Sequence, residues 1–145
     1  MIFDQTLLFS DAQAITATAI STNIVDTLAP GTVYGAAAPL SKDIGKGCHI
    51  PILIQVIEDF ATLTSLTVDI RFSAAENMGS PKIILSQSIA VADLKAGRTF
   101  AITAVPPGSD LRYMALNYTV GGSNATAGKI TAGIVMAVQT NGVAF

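Results

Sequence analysis

Charge is what this chain has least of. Only 12% of its 145 residues are charged, well below the roughly one quarter usual for a soluble domain, while half are hydrophobic. A chain so poor in charge must show a weakly polar exterior, and such surface usually marks contact with another protein. The formal net charge is only -2 and Lys and Arg do not cluster. The electrostatic footprint of a nucleic-acid or anionic-membrane binder is therefore missing, and neither partner is expected.

Cysteine, histidine and tryptophan are nearly or wholly absent. Cys48 is the only cysteine, which excludes an intramolecular disulfide framework and any multi-cysteine metal site; inert burial is expected for it. His49 is the only histidine, so a Ser-His-Asp arrangement would have to be built around it, and no G-x-S-x-G nucleophile motif accompanies it. Cys48 and His49 are adjacent, and neighbours on a strand point to opposite faces, a poor geometry for sharing one ion. No enzyme, cofactor or metal is expected.

Long apolar runs are missing too. The longest, Ile50 to Ile57, is interrupted by Pro51 and Gln55 and falls far short of the roughly 20 residues of a membrane helix. The opening MIFDQTLLFSD has no basic region and carries Asp4 and Asp11, unlike a secretory signal. The protein is expected to stay in the compartment where it is made.

What the chain does have is period-two alternation. Leu66, Val68, Ile70 and Phe72 alternate with Thr67, Asp69, Arg71 and Ser73, which predicts a strand with one buried and one wet face. The same pattern runs through Met114, Leu116, Tyr118 and Val120, and through Ile130, Ala132, Ile134, Met136 and Val138. Segments 15–25, 50–57, 82–87 and 99–103 are rich in the Ile, Val and Thr that suit pleated surfaces. Turns are expected at Ala29-Pro30-Gly31, Gly45-Lys46-Gly47, Ser80-Pro81, Ala96-Gly97, Pro106-Pro107-Gly108 and Gly121-Gly122-Ser123. Seven or eight short strands without a helical period predict one all-β domain spanning 1–145, an antiparallel β-sandwich. Composition does not choose between a jelly roll and an immunoglobulin-like sandwich.

The stretch 27–47 follows neither period and reads as a long surface loop. Glu58 and Asp59, adjacent carboxylates at an expected strand end, read as solvated rather than as a glycosidase-like pair. Gly122 to Gly128 encloses five residues where a phosphate loop has four, and Ile130 stands where such a loop needs Ser or Thr. Asn117-Tyr118-Thr119 and Asn124-Ala125-Thr126 fit the glycosylation pattern, but no secretory route is advertised. Ile2, Phe3, Leu7, Leu8 and Phe9 form an apolar opening segment, either a first core strand or an arm gripping a neighbour. With Val33 and Tyr34 of the loop they are the candidate contacts with other protein chains.

The ordered series LFSDAQ, DIGKG, LTSLTV, RYMALNY and TAGKITAG, set within LLFSDAQAITATAISTNIVD, DIGKGCHIPILIQV, FATLTSLTVDIRFSAAENMGSPKIILSQS and LRYMALNYTVGGSNATAGKITAGIVMAVQT, covers nearly the whole chain. It resembles the Bordetella-phage-type capsid cement (decoration) proteins of tailed bacteriophages. The segment PGTVYGAAAPL departs from that pattern, as an insertion ahead of DIGKG. The resemblance implies a jelly-roll structural protein of the virion, made in the bacterial cytoplasm and placed on the outer surface of the assembled head. There it would bridge major capsid protein subunits as a homo-oligomer, a homodimer being the commonest closed arrangement and a trimer the main alternative. The rival reading is a carbohydrate-binding, lectin-like jelly roll on the virion, with Tyr34, Tyr113 and Tyr118 as stacking faces; the absence of Trp argues against it.

Overall fold

A computed structural model describes residues 3–27, 32, 34–37, 49–107 and 111–137. Most of the 27–47 loop, Cys48, Ile2, Val33 and Val138 lie outside the described residues. Among the described residues seven strands form one antiparallel system: β1 Leu8–Ala14, β2 Ala19–Ile20, β3 Val25–Asp26, β4 Ile50–Ser73, β5 Lys82–Ala90, β6 Ala104–Val105 and β7 Tyr113–Ile134. Among the described residues the only helical turns are short 3-10 turns at Gln5–Leu7 and Val91–Asp93. The fold is all-β, as the alternation predicts.

Two strands are far longer than the sequence suggests. β4 runs for 24 residues and β7 for 22, so stretches that read as separate strands are continuous. They pair with each other from Ile52↔Ile134 to Ser73↔Tyr113, with register shifts confined to the zone between Val56 and Ser65. In that zone the ribbon bends. Gly122 (φ +81) and Gly128 (φ +134) adopt backbone conformations that L side chains rarely take, and a Cβ on Gly128 would run into the Phe60 ring. Thr62, itself at φ 74, holds the corner, its hydroxyl 2.8 Å from the Asn124 carbonyl and accepting from the Thr126 amide at 3.0 Å. Gly121-Gly122-Ser123 is thus a bend inside β7 rather than a turn between strands.

The bend divides the sheet into two halves. In one, β1 pairs with the C-terminal part of β7, which pairs with the N-terminal part of β4. That part of β4 is flanked in turn by the chain from Leu94 to β6, through bonds such as Phe60 N to Leu94 O and Ile52 N to Thr103 O. In the other half the order is β2 and β3, the start of β7, the end of β4, and β5. Both halves send side chains into a single core that includes Phe9, Ile54, Val56, Leu66, Ile70, Phe72, Leu116, Tyr118 and Ile130. Apolar burial of this kind is the main favourable term in folding, at about 25 cal/mol per Å².

The expected wet face of the Leu66–Ser73 strand is largely covered. Leu66, Val68, Ile70 and Phe72 are buried as predicted, but so are Asp69 and Ser73 on the opposite side. The reason is polar satisfaction. Asp69 accepts from Arg71 Nη2 at 2.8 Å and from Ser86 Oγ of β5 at 2.6 Å, and Ser73 Oγ donates to the Gly79 carbonyl at 2.7 Å. Ala115 and Asn117 are buried on β7 likewise. Nor do Glu58 and Asp59 end a strand at a turn. They sit at the bend of β4, where Glu58 meets Lys129 at 2.6 Å and Asp59 meets Lys95 at 3.3 Å.

Candidate interaction surface

The apolar opening segment splits in two. Phe9 is fully buried and Leu8 nearly so, because β1 is clamped against β7 from Leu8↔Gly133 to Ala14↔Lys129. As contacts for another molecule these two are corrected: in the folded protomer they belong to the core. Phe3 and Leu7, by contrast, are only half-buried. With Ile134, Val135 and Met136 they line an apolar groove of about 480 Å³, and Asp4 stands at its rim. Gly133 forms the floor beneath Phe3: a Cβ there would lie 2.9 Å from the Phe3 ring.

Asp4 also organises the turn that places Leu7. Its carboxylate accepts from the Thr6 amide at 2.8 Å and the Thr6 hydroxyl at 2.6 Å, and these bonds hold its pKa below the ordinary value. The alternation at the chain's end predicted an inward Met136. Pairing of β7 stops at Ile134, and Met136 is 100% exposed. Tyr34 is likewise wholly exposed, the one described member of the Val33–Tyr34 pair.

The three tyrosines do not share a face. Tyr118 lies in the core with its hydroxyl 2.7 Å from Ser10 Oγ. Burial pushes its phenol above the ordinary range, the Ser10 hydrogen bond offsetting part of that. Tyr113 is half-buried, and the Arg112 guanidinium lies over its ring at 5.0 Å. Arg112 also holds Asp26 through two bonds, Nε to Oδ1 at 2.9 Å and Nη2 to Oδ2 at 2.7 Å, which raises the arginine pKa. These residues line a polar groove of about 730 Å³ with Asn23 and Glu76.

His49 is exposed at the mouth of a third groove, about 380 Å³, whose other walls include Leu85, Ala101, Val105, Pro106 and Pro107. Among the described residues that line it, Thr103 carries the one hydroxyl and none carries a carboxylate. Among the described residues no group of three or more His, Cys, Asp or Glu side chains comes together as metal ligands. No helix among them is long and apolar enough to cross a membrane.

Four further apolar side chains are exposed among the described residues: Ile20 on β2 at 38%, Ile57 at the bend of β4 at 41%, and Ile83 and Leu85 on β5 at 52% and 39%. The signal was present in the Lys-Ile-Ile-Leu run, where apolar residues do not alternate and cannot all face the core.

Comparison with curated proteins gives no match. From Phe9 in the first strand to Ile134 at the end of the last, residues 9–134 match the Bbp16 family model, a finding consistent with a Bordetella phage protein family, and the chain belongs to the Bbp16 family.

Proposed function

We propose that this protein is a structural component of a phage virion, a cement protein that binds the outer surface of an assembled head and bridges major capsid subunits as a homodimer. Membership of the Bbp16 family supports the phage setting. The single structural observation that carries the reading is the open apolar groove of Phe3, Leu7, Ile134 and Met136. Apolar surface of this kind loses free energy by burial against a partner. The strand order supports a jelly roll. Counting β2 and β3 as one strand and each half of the bent strands separately, the two halves read first-eighth-third-sixth and second-seventh-fourth-fifth along the chain.

The mechanism needs no chemistry. A protein that binds only the assembled shell stabilises it by mass action. When one oligomer touches several subunits, linked weak patches gain avidity of roughly 10²–10⁴. A sugar-binding role draws less support, since Tyr118 is inside the core and Arg112 occupies one face of Tyr113.

The test is co-sedimentation with phage heads that lack the protein, followed by heating. Saturable binding and a higher disruption temperature are expected. A chain that ignores heads and saturably binds members of a glycan array overturns the reading in favour of the lectin.

A further inference from the structure

Sheet edges are templates for pairing with another chain, and folded proteins blunt them with bulges, prolines, charges or very short strands. Among the described residues every edge but one is blunted. β1 is interrupted by two register shifts and by Ala12 at φ 46, and its Phe9 carbonyl is taken by the Asn23 amide. β2, β3 and β6 are two residues each.

β5 is different. It is nine residues long and pairs only with β4. From Ile83 to Ala90, among the described residues, its backbone bonds to nothing else. The strand contains no proline and no acidic residue, and Lys82 at its start is its one charged residue. Its single bulge lies near that end, and pairing is regular from Leu85 to Ala90. The apolar groove of Leu85, Ala101, Val105 and Pro107 runs beside it.

We propose that β5 is the homodimer seam, pairing antiparallel with β5 of a second copy about a two-fold axis at Gln87. The strand is complementary to itself in this register. Leu85 stands opposite the second copy's Ile89, an apolar pair on the core-facing side, and Ser86 stands opposite Ser88 on the outer side, where its hydroxyl already meets Asp69. Gln87 lies on the axis, where its backbone meets that of its own copy, while its side-chain oxygen accepts from the Ala101 amide of the same chain at 2.8 Å. The two Lys82 ammonium groups are left roughly 30 Å apart at about 3.3 Å per residue, beyond the reach of unscreened repulsion at about 10 Å. An isologous contact of this kind closes on itself and stops at two copies. The two sheet halves containing β5 then run on into each other across the seam.

This seam rests on the homodimer of the proposed function, and the experiment separates the two. The mass of the full chain in solution is measured by sedimentation over a range of concentrations, for the native protein, Leu85→Lys and the control Ile57→Lys. Leu85 and Ile57 are equally exposed, at 39% and 41%, but only Leu85 is on β5. The native chain and Ile57→Lys are expected to be dimers. Leu85→Lys is expected to dimerise about a hundredfold more weakly, a loss of roughly 2.8 kcal/mol at 1.4 kcal/mol per tenfold.

A Leu85→Lys dimer as tight as the native one leaves the dimer standing and overturns the seam; a monomeric native chain overturns both. Gln87→Cys in a Cys48→Ser background gives an independent reading should Leu85→Lys fail to fold. A residue on the axis meets its own copy, so oxidation is expected to give a covalent dimer. A dimeric chain that does not cross-link there overturns the register.

Discussion

The Ser10 hydroxyl of β1 lies 2.7 Å from the Tyr118 hydroxyl of β7, and both residues are buried. Their strands belong to opposite halves of the bent sheet, so this hydrogen bond ties one half to the other through the core. Ser10 also donates to Gln13 Oε1 at 2.7 Å, and Gln13 in turn receives the Thr22 amide at 2.9 Å and donates to the Ile20 carbonyl at 2.9 Å. The edge of one half is thereby laced to the edge of the other.

Tyr118→Phe removes one member of that network and is expected to cost about 1 kcal/mol at neutral pH, read as a lower urea midpoint. The pH dependence has a definite sign. Burial raises the phenol pKa of Tyr118 in the folded chain above its ordinary 10.0, so the native advantage is complete below pH 10 and is lost as pH rises further. The stability gap between the native protein and Tyr118→Phe closes above pH 10. A gap unchanged at pH 11 contradicts the buried, neutral phenol.

At the bend, Gly128 leaves its Cβ position to the Phe60 ring and takes a φ of +134. Gly128→Ala forces the ring to move and strains the backbone, with an expected loss of about 2–3 kcal/mol. Denaturant unfolding of the variant checks it. Phe60→Leu in the same chain should recover part of the loss, because it vacates the space.

Asp69 is buried with its carboxylate satisfied by Arg71 and Ser86, and Arg71 Nε is covered without a partner. Asp69→Ala leaves the guanidinium beside an apolar side chain. A loss of about 3 kcal/mol is expected, the low end for breaking a buried pair, since the Arg71 side chain is still 24% exposed. Asp69→Asn, which retains an acceptor, should lose less. Equal losses in both variants would show that the carboxylate charge, rather than the acceptor, carries the interaction with Arg71.

Met136 is fully exposed beside Phe3 and Leu7. Met136→Asp is expected to leave the melting temperature unchanged, as surface substitutions generally do to within about 0.5 kcal/mol, and to weaken retention on phage heads about tenfold, a cost of roughly 1.4 kcal/mol. Co-sedimentation beside a thermal melt measures both. Unaltered head binding would move the capsid contact away from this groove.

Period-two alternation at Leu66–Phe72, Met114–Tyr118 and Ile130–Ala132 by itself determined an all-β chain and named the central part of its core, because on a strand the choice of face is local to each residue. The ordered motifs likewise pointed to a phage protein family before any coordinate. Contact between distant segments decided the rest. Whether Phe9 packs inside and Phe3 lines a groove depends on where β7 stops pairing, and whether Asp69 is wet or buried depends on Ser86 reaching it from β5. Continuity of β4 and β7 through the bend was hidden because glycines that read as a turn were permitting a bulge. The open edge of β5 was hidden as well. An edge is defined by the neighbour a strand lacks, and only the tertiary structure says which strand that is.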